Sequence, residues 1–268
     1  MSDRTSGTKG ACQGRSDRRG RAVVMLVMLI AIVPQVRADA GEEASLGTML
    51  RLADAVRHPI NEGVIRIRAT VEKPGEGPLV SDLEVFVQGQ DRVLTVFRSG
   101  PLEGRRILTV GKKVWLLIPD VARPIPISAN QRLLGGVSIF DLARLSFASD
   151  YDARLLKEDD LIGGDSCRVL ELSARTRQAS YASGILWIGR EDGLPRQAEL
   201  ALLSGKPAKM VHFDTYDYES DRPILKRMRI VHLLPSEHGM KTILEFTGYE
   251  RRTLAAGLFD PDRARDAS

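Results

Sequence analysis

Residues 63–89 read GVIRIRATVEKPGEGPLVSDLEVFVQG, and apolar and polar side chains alternate on both sides of the PGEGP turn. The apolar positions before and after the turn are Ile65, Ile67, Ala69, Val71, Leu83, Val85 and Val87. Alternation with a period of two is typical of a β-strand that buries one face. Two such strands joined by a short Gly/Pro turn predict an antiparallel pair.

The same pattern continues along most of the chain. About a dozen strand candidates follow one another, and the last is MKTILEFTGYE at residues 240–250. Two segments have helical spacing instead, SLGTMLRLADAVRHP at residues 45–59 and VSIFDLARLSF at residues 137–147. A sheet of this many strands must curl or close to protect its edges, and amphipathic helices need an apolar surface to cover. The sequence therefore predicts a mainly β (α+β) fold, a half-open curved antiparallel β-barrel with both helices on its concave face.

Residues 1–40 have the features of a cleaved secretory signal peptide. A basic region, Arg15, Arg18, Arg19 and Arg21, precedes an apolar run, AVVMLVMLIAIV at residues 22–33. Ala38-Asp39-Ala40 fits the small-x-small cleavage pattern. The run is shorter than the roughly 20 apolar residues of a membrane span. We therefore expect an exported protein whose mature part, residues 41–268, is a single domain.

The charge of the chain changes once these residues are removed. Of 39 Lys and Arg residues seven lie in residues 1–40, and of 35 Asp and Glu residues three do, so 32 of each remain. A neutral chain gives no global reason to expect binding to nucleic acid or to an anionic membrane surface. Cys167 is the one cysteine of residues 41–268, and its strand context predicts a buried apolar side chain rather than a catalytic thiol.

Residues 116–136, LLIPDVARPIPISANQRLLGG, interrupt the regular strands. We expect Pro124 and Pro126 to keep this segment extended and out of the sheet ladder, because proline has no N–H to donate. Two glycines at its end allow backbone conformations that other residues rarely adopt, just before the second helix candidate. The apolar residues predicted to form a lid and its hinge over a cavity are Ile125, Ile127, Leu133, Leu134 and Phe140. The alternative is a fixed plug at one end of the barrel.

Residues 104–136, GRRILTVGKKVWLLIPDVARPIPISANQRLLGG, resemble the signature region of the outer-membrane lipoprotein-sorting protein family, in a LolA-like branch. The matching elements are Gly104 to Leu108, Trp115 with Pro119, and Ile127 to Gly135, and the resemblance extends over about residues 46–250. It implies an incomplete antiparallel β-barrel with helices closing its mouth. It also implies an apolar cavity that carries the acyl chains of a lipoprotein or a lipid across the periplasm, where each CH₂ removed from water contributes about 0.8 kcal/mol.

The resemblance implies partners as well, an inner-membrane transporter that supplies the cargo and an outer-membrane acceptor that receives it. A non-catalytic accessory subunit that docks on an inner-membrane exporter is the alternative function, and a periplasmic hydrolase is a third. The sequence disfavours a hydrolase because it contains no Gly-x-Ser-x-Gly motif, no phosphate-binding glycine loop and no zinc-binding His spacing. We therefore predict a protein that is not an enzyme and that has no catalytic residue, no metal and no cofactor.

Candidate ligand-binding residues come from the strands and turns of the mature chain. Trp115 and Leu117 share one strand face and could line the cavity, as could Trp187, although a large aromatic residue is also common in an ordinary core. Arginine side chains could meet a headgroup phosphate or carboxylate, because the guanidinium fork matches both. The candidates are Arg105, Arg106, Arg123 and Arg132, with solvated charges at strand ends as the alternative.

Overall fold

The structure, a computed structural model, describes residues 36–128, 132–134, 137–138, 145–176, 179, 181–219 and 222–264. The chain divides into two compact units, Met1–Val36 and Arg37–Ser268, and the elements below lie in the second, apart from one helical residue. The predicted signal peptide lies almost wholly outside the described residues and stays a prediction. No helix within the described ranges is both long enough and apolar enough to cross a membrane.

Within these ranges the chain forms two α-helices, α1 at Val36–Arg57 and α2 at Phe147–Asp150. The strands before residue 130 are β1 Glu62–Glu72, β2 Leu79–Gln88, β3 Arg92–Phe97, β4 Arg106–Val110, β5 Lys113–Leu117 and β6 Ile125–Pro126. A short hairpin follows, made of β7 Arg132–Leu134 and β8 Val137–Ser138. The remaining strands are β9 Tyr151–Ile162, β10 Asp165–Ala174, β11 Ser183–Gly189, β12 Pro195–Ala201, β13 Pro207–Asp217, β14 Ile224–His232 and β15 Lys241–Arg251. Two 3₁₀ turns are Pro235–Glu237 and Ala256–Phe259.

Thirteen of these strands form one curved antiparallel sheet, in the order β6-β5-β4-β3-β2-β1-β15-β14-β13-β12-β11-β10-β9. The sheet consists of two meanders, β1–β6 and β9–β15, which are joined where β1 pairs with β15. Strands β6 and β9 are its two edges, so the sheet is open and is not a closed barrel. The prediction of a mainly β fold built on one curved antiparallel sheet is confirmed.

Strand alternation sorts the side chains onto the two faces of the sheet. In β1 and β2, Ile67 lies opposite Leu83 and Ile65 lies opposite Val85, as the pattern of residues 63–89 predicts. These four residues belong to the main buried core, which also contains Leu50 of α1. We call this side of the sheet the α1 face and the other side the opposite face.

Helix α1 packs on the α1 face through residues about one turn apart. Leu46, Leu50 and Ala53 are buried in the main core, and their spacing puts them on one side of a helix. The helix ends at Arg57, two residues before Pro59, whose ring disfavours a helical interior. The helix predicted at residues 45–59 is therefore present, and it begins earlier in the chain, at Val36.

The C-terminal segment, residues 254–264, covers part of the opposite face. Leu254, Leu258 and Phe259 form a second buried cluster with residues of the first meander. The strand residues of that cluster are Val64, Phe86, Leu94, Val96, Leu108 and Leu117. The carboxylate of Glu62 fixes the start of the segment, because it accepts hydrogen bonds from Leu254 N at 2.9 Å and from Gln88 Nε2 at 3.0 Å. The first meander is thus buried on both faces where this segment covers it, whereas Arg66 and Arg68 of β1 are exposed on the opposite face.

The prediction of a helix at residues 137–147 is wrong at its N-terminal end. Val137–Ser138 is strand β8, which pairs with β7 so that Leu134 lies opposite Val137. At the other end Phe147 begins α2, a single helical turn, and residues 139–144 lie outside the described residues. Gly135-Gly136 is one of the residue pairs that favour a two-residue hairpin turn, and this signal outweighs the helical spacing.

The prediction that the prolines keep their segment out of the sheet ladder is wrong for Pro126. Ile125–Pro126 forms β6 and pairs with β5, with Trp115 opposite Pro126 and Leu116 opposite Ile125. An edge strand tolerates proline because one of its sides has no neighbouring strand to bond. The proline-rich stretch therefore ends the first meander as a short edge strand.

Candidate ligand-binding site

The connection from β6 to β9, residues 127–150, links the two edges of the open sheet, and we call it the crossing segment. It contains the β7–β8 hairpin and α2. Its last part packs against the main core, where Leu145 is 4% and Phe147 is 1% exposed. The crossing segment is therefore anchored on the α1 face close to the end of α1.

The carboxylate of Asp54 ties the crossing segment to α1. Its Oδ2 accepts hydrogen bonds from Ser146 Oγ at 2.7 Å and from Ala148 N at 2.9 Å. Its Oδ1 accepts a third from Phe147 N at 2.9 Å. The first N–H groups of a helix have no acceptor within their own helix. One carboxylate on α1 thus caps α2 and holds the two helices together.

Arg57 is a buried cation beside the same junction. Its side chain is 5% exposed, donates from Nη1 to Leu145 O at 2.9 Å, and lies 5.5 Å from the centroid of the Phe147 ring. Asp54 Oδ1 lies 3.9 Å from the same Nη1. A buried guanidinium needs such partners, because desolvating a charge without compensation is very unfavourable. These contacts tie the last turn of α1 to the crossing segment a second time.

A small cavity lies between the end of α1, the end of the crossing segment and the α1 face of β12–β14. Its volume is about 10 Å³, which is room for about one water molecule. Its lining residues are Arg57, Leu145, Phe147, Leu200, Val211, Phe213, Met228 and Ile230. Except for the arginine, every lining side chain is apolar, which is the composition of surface that an acyl chain requires.

The apolar surface of β13 and β14 ends in a buried polar pair. Three cross-strand pairs follow one another on the α1 face, Phe213–Met228, Val211–Ile230 and Lys209–His232. The first two pairs line the cavity, and the third continues the row with a cation and an imidazole. Both polar side chains are buried, since Lys209 is 5% and His232 is 1% exposed.

His232 connects this pair to two further buried residues. Its Nδ1 lies 3.4 Å from Oε2 of Glu237, in the 3₁₀ turn after β14, and its Nε2 lies 3.3 Å from Oγ1 of Thr242 on β15. The Nζ atom of Lys209 lies 5.8 Å from the centroid of the Tyr181 ring, within the range of a cation–π interaction. We call Lys209, His232, Glu237 and Thr242 the polar end of the α1 face.

Sequence reasoning missed the polar end, although part of its signal is present. In AKMVHFD, residues 208–214, strand alternation places Lys209 on the same side as Val211 and Phe213. A charged residue in an otherwise apolar row is an informative exception to the usual pattern of burial. Glu237 carries no such signal, because its position depends on how the turn after β14 folds back.

The predicted cavity residues Trp115 and Leu117 share one face of β5, and this is the opposite face. Both pack in the cluster under the C-terminal segment, whereas Val114 and Leu116 pack in or against the main core. The strand pattern groups these residues correctly, but the grouping alone does not tell which side faces α1. The cavity on the α1 face does not include Trp115 or Leu117.

Trp187 also lies on the opposite face, because its neighbours Leu186 and Ile188 are the buried core residues of β11. Its Nε1 donates to Asp160 Oδ2 at 3.1 Å, and this hydrogen bond holds the pKa of the Asp160 carboxyl below its usual value. The tryptophan therefore links β11 to the edge strand β9 and does not face the cavity.

The predicted headgroup arginines do not converge on one site in the part of the chain that the structure describes. Arg106 lies on the opposite face and donates from Nη1 to Ala264 O at 2.7 Å. Arg105 and Arg123 are exposed, in the turns that precede β4 and β6. The side chain of Arg132 lies outside the described residues, so its role stays a prediction.

Two of the predicted lid residues, Ile125 and Ile127, lie at the edge of the α1 face. Ile125 is opposite Leu116 and is 39% exposed, while Ile127 packs against the main core. Leu133 and Leu134 belong to strand β7, but their side chains lie outside the described residues, as does Phe140. The lid role of these five residues stays a prediction.

A larger, open groove of about 570 Å³ lies between the turn before β4 and the turn after β5. Its lining residues are Gly104, Arg106, Leu117, Ile118, Pro119, Asp120 and Ala122. Two predicted site residues, Arg106 and Leu117, therefore meet here. The volume falls within the range of small-molecule sites, but charged groups line the groove together with apolar ones, which suits a polar or mixed ligand better than a bare acyl chain.

The described residues offer little reactive chemistry. No group of three or more His, Cys, Asp and Glu side chains among them could hold a metal ion. Cys167 is buried, as its strand context predicts, and desolvation raises the pKa of its thiol. A raised pKa keeps the thiol protonated, which is the reverse of what a nucleophilic cysteine needs.

Comparisons with known proteins agree with this architecture. A family model with the description “Uncharacterized protein” matches residues 89–264, more than half of the 268-residue chain. No curated protein matches significantly. Among solved structures, a LolA superfamily protein from Nitrosomonas europaea is 26% identical with a TM-score of 0.72, and the match covers 80% of this chain and 97% of that one.

Two further structures share the fold. A DUF1329 family protein from Desulfovibrio piger is 17% identical with a TM-score of 0.70, over 81% of this chain and 97% of that one. An outer membrane lipoprotein-sorting protein domain from Vibrio parahaemolyticus is 19% identical with a TM-score of 0.65, over the same shares. The match over residues 89–264 shows that the chain belongs to the family of that model, and the solved structures show that it has the LolA-like fold.

Proposed function

We propose that the protein is a periplasmic carrier that binds the acyl chains of a lipoprotein or lipid on its α1 face and passes them toward the outer membrane. In this proposal the α1 face is the concave side of the sheet, and α1 and the crossing segment cover it. The observation that carries the proposal is the apolar α1 face of an open sheet, with one segment linking its two edges. The Vibrio parahaemolyticus protein is described as a lipoprotein-sorting domain, which supports a cargo of this kind.

An acyl chain would replace packing that the crossing segment now provides. The cavity of about 10 Å³ is too small for such a chain, so binding requires Leu145 and Phe147 to move away from β12–β14. Burying about ten CH₂ groups would contribute roughly 8 kcal/mol. The four hydrogen bonds that Asp54 and Arg57 make contribute about 2–12 kcal/mol together, at about 0.5–3 kcal/mol each, so the two contributions are of similar size. Opening and loading are therefore energetically compatible.

The predicted signal peptide of residues 1–40 supports a periplasmic location, with residues 41–268 as the working domain. Cargo would come from an inner-membrane transporter and would leave to an outer-membrane acceptor. We assign no catalytic step, because carrying acyl chains needs a dry apolar lining and no acid, base or nucleophile.

A disulfide between α1 and the crossing segment tests the proposal. Asp54→Cys/Ser146→Cys replaces two side chains whose oxygens are 2.7 Å apart, and oxidation should fix the crossing segment in its closed position. We expect the oxidised variant to take up no 1-N-phenylnaphthylamine, a neutral apolar fluorescent probe, and the reduced variant to bind it. Comparing two redox states of one variant removes the effect of losing the Asp54 carboxylate. Titration of free thiols verifies that the disulfide has formed.

Two matched variants complete this experiment. Arg154→Cys/Glu171→Cys places a disulfide between directly paired residues of β9 and β10 and should bind the probe in both redox states. Ala122→Trp fills the open groove and should leave binding unchanged. Equal probe uptake by the oxidised and reduced forms of the α1 variant contradicts the proposal. Loss of uptake in Ala122→Trp would move the site to the groove.

The accessory-subunit alternative is favoured by one observation, the open groove of about 570 Å³. A protein that docks on an inner-membrane exporter could use such a groove for an extended segment of its partner. Mass spectrometry of organic extracts from the natively purified protein separates the two functions. The carrier predicts lipid at near-stoichiometric amounts, and the accessory subunit predicts a protein without lipid.

A further inference from the structure

The polar end of the α1 face is not needed to hold acyl chains, yet it is deeply buried. Lys209, His232, Glu237 and Thr242 are 5%, 1%, 5% and 0% exposed. Apolar side chains of similar volume would fill this space without the cost of desolvating charged groups. A buried charged group inside a surface that is otherwise apolar is therefore a candidate for binding a polar part of a ligand.

The polar end lies directly beside the cavity. Lys209 and His232 are opposite each other in the register of β13 and β14, and the next pair on the same face, Val211–Ile230, lines the cavity. Residues two positions apart on one strand face are separated by about 6.5–7 Å. One amphiphile can therefore place its chain along the cavity lining and its head at the polar end.

The donors at the polar end suit an anion. The ammonium group of Lys209 has three N–H donors and no acceptor, so it can bind a ligand oxygen and keep another partner. The imidazole of His232 lies between Glu237 Oε2, 3.4 Å from its Nδ1, and Thr242 Oγ1, 3.3 Å from its Nε2, so protein groups face both ring nitrogens. The face of the Tyr181 ring lies 5.8 Å from Nζ and stabilises the cation.

We infer that Lys209 binds the anionic head, a carboxylate or a phosphate, of the amphiphile whose acyl chain occupies the α1 face. The inference rests on the proposed function and adds two things to it, the chemical class of the head and the direction of the cargo. The head lies at the end of β14, next to the 3₁₀ turn of Glu237, and the chain runs from there toward Arg57 at the other side of the cavity.

Three probes with one chain length and different heads test the inference. Laurate, dodecyl phosphate and 1-dodecanol are compared by their ability to displace 1-N-phenylnaphthylamine from the purified exported protein. At least one of the two anions should bind about tenfold more tightly than 1-dodecanol, since a charge-assisted hydrogen bond contributes about that factor. Which anion binds more tightly tells a carboxylate cargo from a phosphate cargo. Lys209→Met should remove the anion preference and change the Kd of 1-dodecanol by less than about twofold.

Two variants control for the charge and for the fold. Lys226→Met removes a lysine of β14, the strand that pairs with the β13 strand of Lys209. Lys226 is half-exposed and lies 3.3 Å from Asp217, so the anion preference should persist without it. Lys209→Arg keeps the charge and should keep part of the preference. Circular dichroism and urea unfolding establish that each variant is folded before its Kd values are compared.

The outcomes separate the inference from the proposed function. A wild-type protein that binds none of the three probes contradicts the carrier itself. Equal binding of all three probes by the wild type, or an anion preference that survives Lys209→Met, contradicts only the headgroup inference. Equal weakening of all three probes by Lys209→Met would show a structural role for the lysine and would also overturn the inference.

Discussion

The two meanders of the sheet differ in what covers their opposite faces. Part of the opposite face of the first meander is apolar and lies under the C-terminal segment, while the rest carries ion pairs such as Arg68–Asp82 at 2.8 Å. The opposite face of the second meander carries ion pairs, such as Arg154–Glu171 at 2.6 Å and Arg229–Asp214 at 3.1 Å. The second meander therefore depends mainly on its α1 face for packing, and the cavity and the polar end lie there. In the proposed function the first meander maintains the fold, and the second meander is the half whose packing a ligand replaces.

Removal of the C-terminal segment should have the largest effect on stability, and it tests how far the first meander depends on cover of its opposite face. A chain that ends at Arg252 loses Leu254, Leu258 and Phe259 and uncovers the apolar opposite face of the first meander. Burial of each side chain contributes about 1.5–3 kcal/mol, so the free energy of unfolding should fall by roughly 5–9 kcal/mol. Such a loss is comparable to the whole stability of many domains. Urea unfolding followed by circular dichroism measures it.

Asp262→Ala is the matched control for this truncation, because Asp262 is an exposed residue of the same segment. It should change the free energy of unfolding by less than about 0.5 kcal/mol. A truncated chain as stable as the wild type would show that the first meander does not need cover on both faces.

Two buried leucines compare the meanders one residue at a time. Leu94 lies in the second cluster on the opposite face, and Leu200 lines the cavity on the α1 face; both are 0% exposed. Leu94→Ala and Leu200→Ala should each lower the free energy of unfolding by about 2–5 kcal/mol. Only Leu200→Ala should change the Kd of 1-N-phenylnaphthylamine, because it enlarges the cavity. If both variants shift the Kd equally, the two halves do not differ in function.

Glu62 should give the smallest effect, and it tests the attachment of the C-terminal segment through pH. The hydrogen bonds from Leu254 N and then Gln88 Nε2 hold the pKa of the Glu62 carboxyl below its usual value of 4.5. A group with a lowered pKa in the folded state stabilises the fold above its unfolded pKa, and this contribution disappears as the pH falls through the folded pKa. The protection factors of residues 254–264, which correct for the intrinsic pH dependence of hydrogen exchange, should therefore fall below about pH 4.5.

Glu62→Gln provides the reference for this pH effect, because an amide cannot titrate in this range. The exchange rate of its C-terminal segment should lack the part of the pH dependence that Glu62 causes. Identical profiles for the two proteins would rule out Glu62 as the anchor.

The strands could be predicted from the sequence because their pattern is local. In residues 63–89 the period of two leaves one apolar face, and a slip of one residue would turn that face toward water. The observed pairing of Ile67 with Leu83 follows from this constraint and from the short turn between the strands. The same argument grouped Trp115 with Leu117 correctly. It could not tell which face meets α1, because the C-terminal segment gives β5 a second apolar environment.

The connections were harder to predict because local signals compete there. Residues 137–147 have helical spacing, whereas Gly135-Gly136 favours a hairpin, and the hairpin is the observed structure. Pro126 would disrupt a central strand, but its strand is an edge. In the first case one local signal outweighs another, and in the second the position of the strand at the sheet edge decides, which the local sequence does not contain.

The residues of the candidate site also differ in whether a local sequence pattern reveals them. Lys209 breaks the apolar alternation of β13 and could have been found from it. Asp54 reaches Ser146 across 92 residues of sequence, and no local pattern indicates that contact. The contacts that anchor the crossing segment are therefore found only from the structure, whereas Lys209 of the polar end can be found from the sequence pattern of its strand.

Strands β1 and β15 join the two ends of the folded chain in the middle of the sheet. Arg66 on β1 donates to Glu250 on β15 at 2.7 Å, across 184 residues of sequence. Each meander can form from neighbours that are close in the chain, but this seam closes one very long loop, and such non-local strand pairing is slow. During synthesis the two halves stay unjoined until the last strand is available. A seam of this kind delays completion of the fold, which suits the export proposed for this chain, since an exported polypeptide crosses the membrane before it folds.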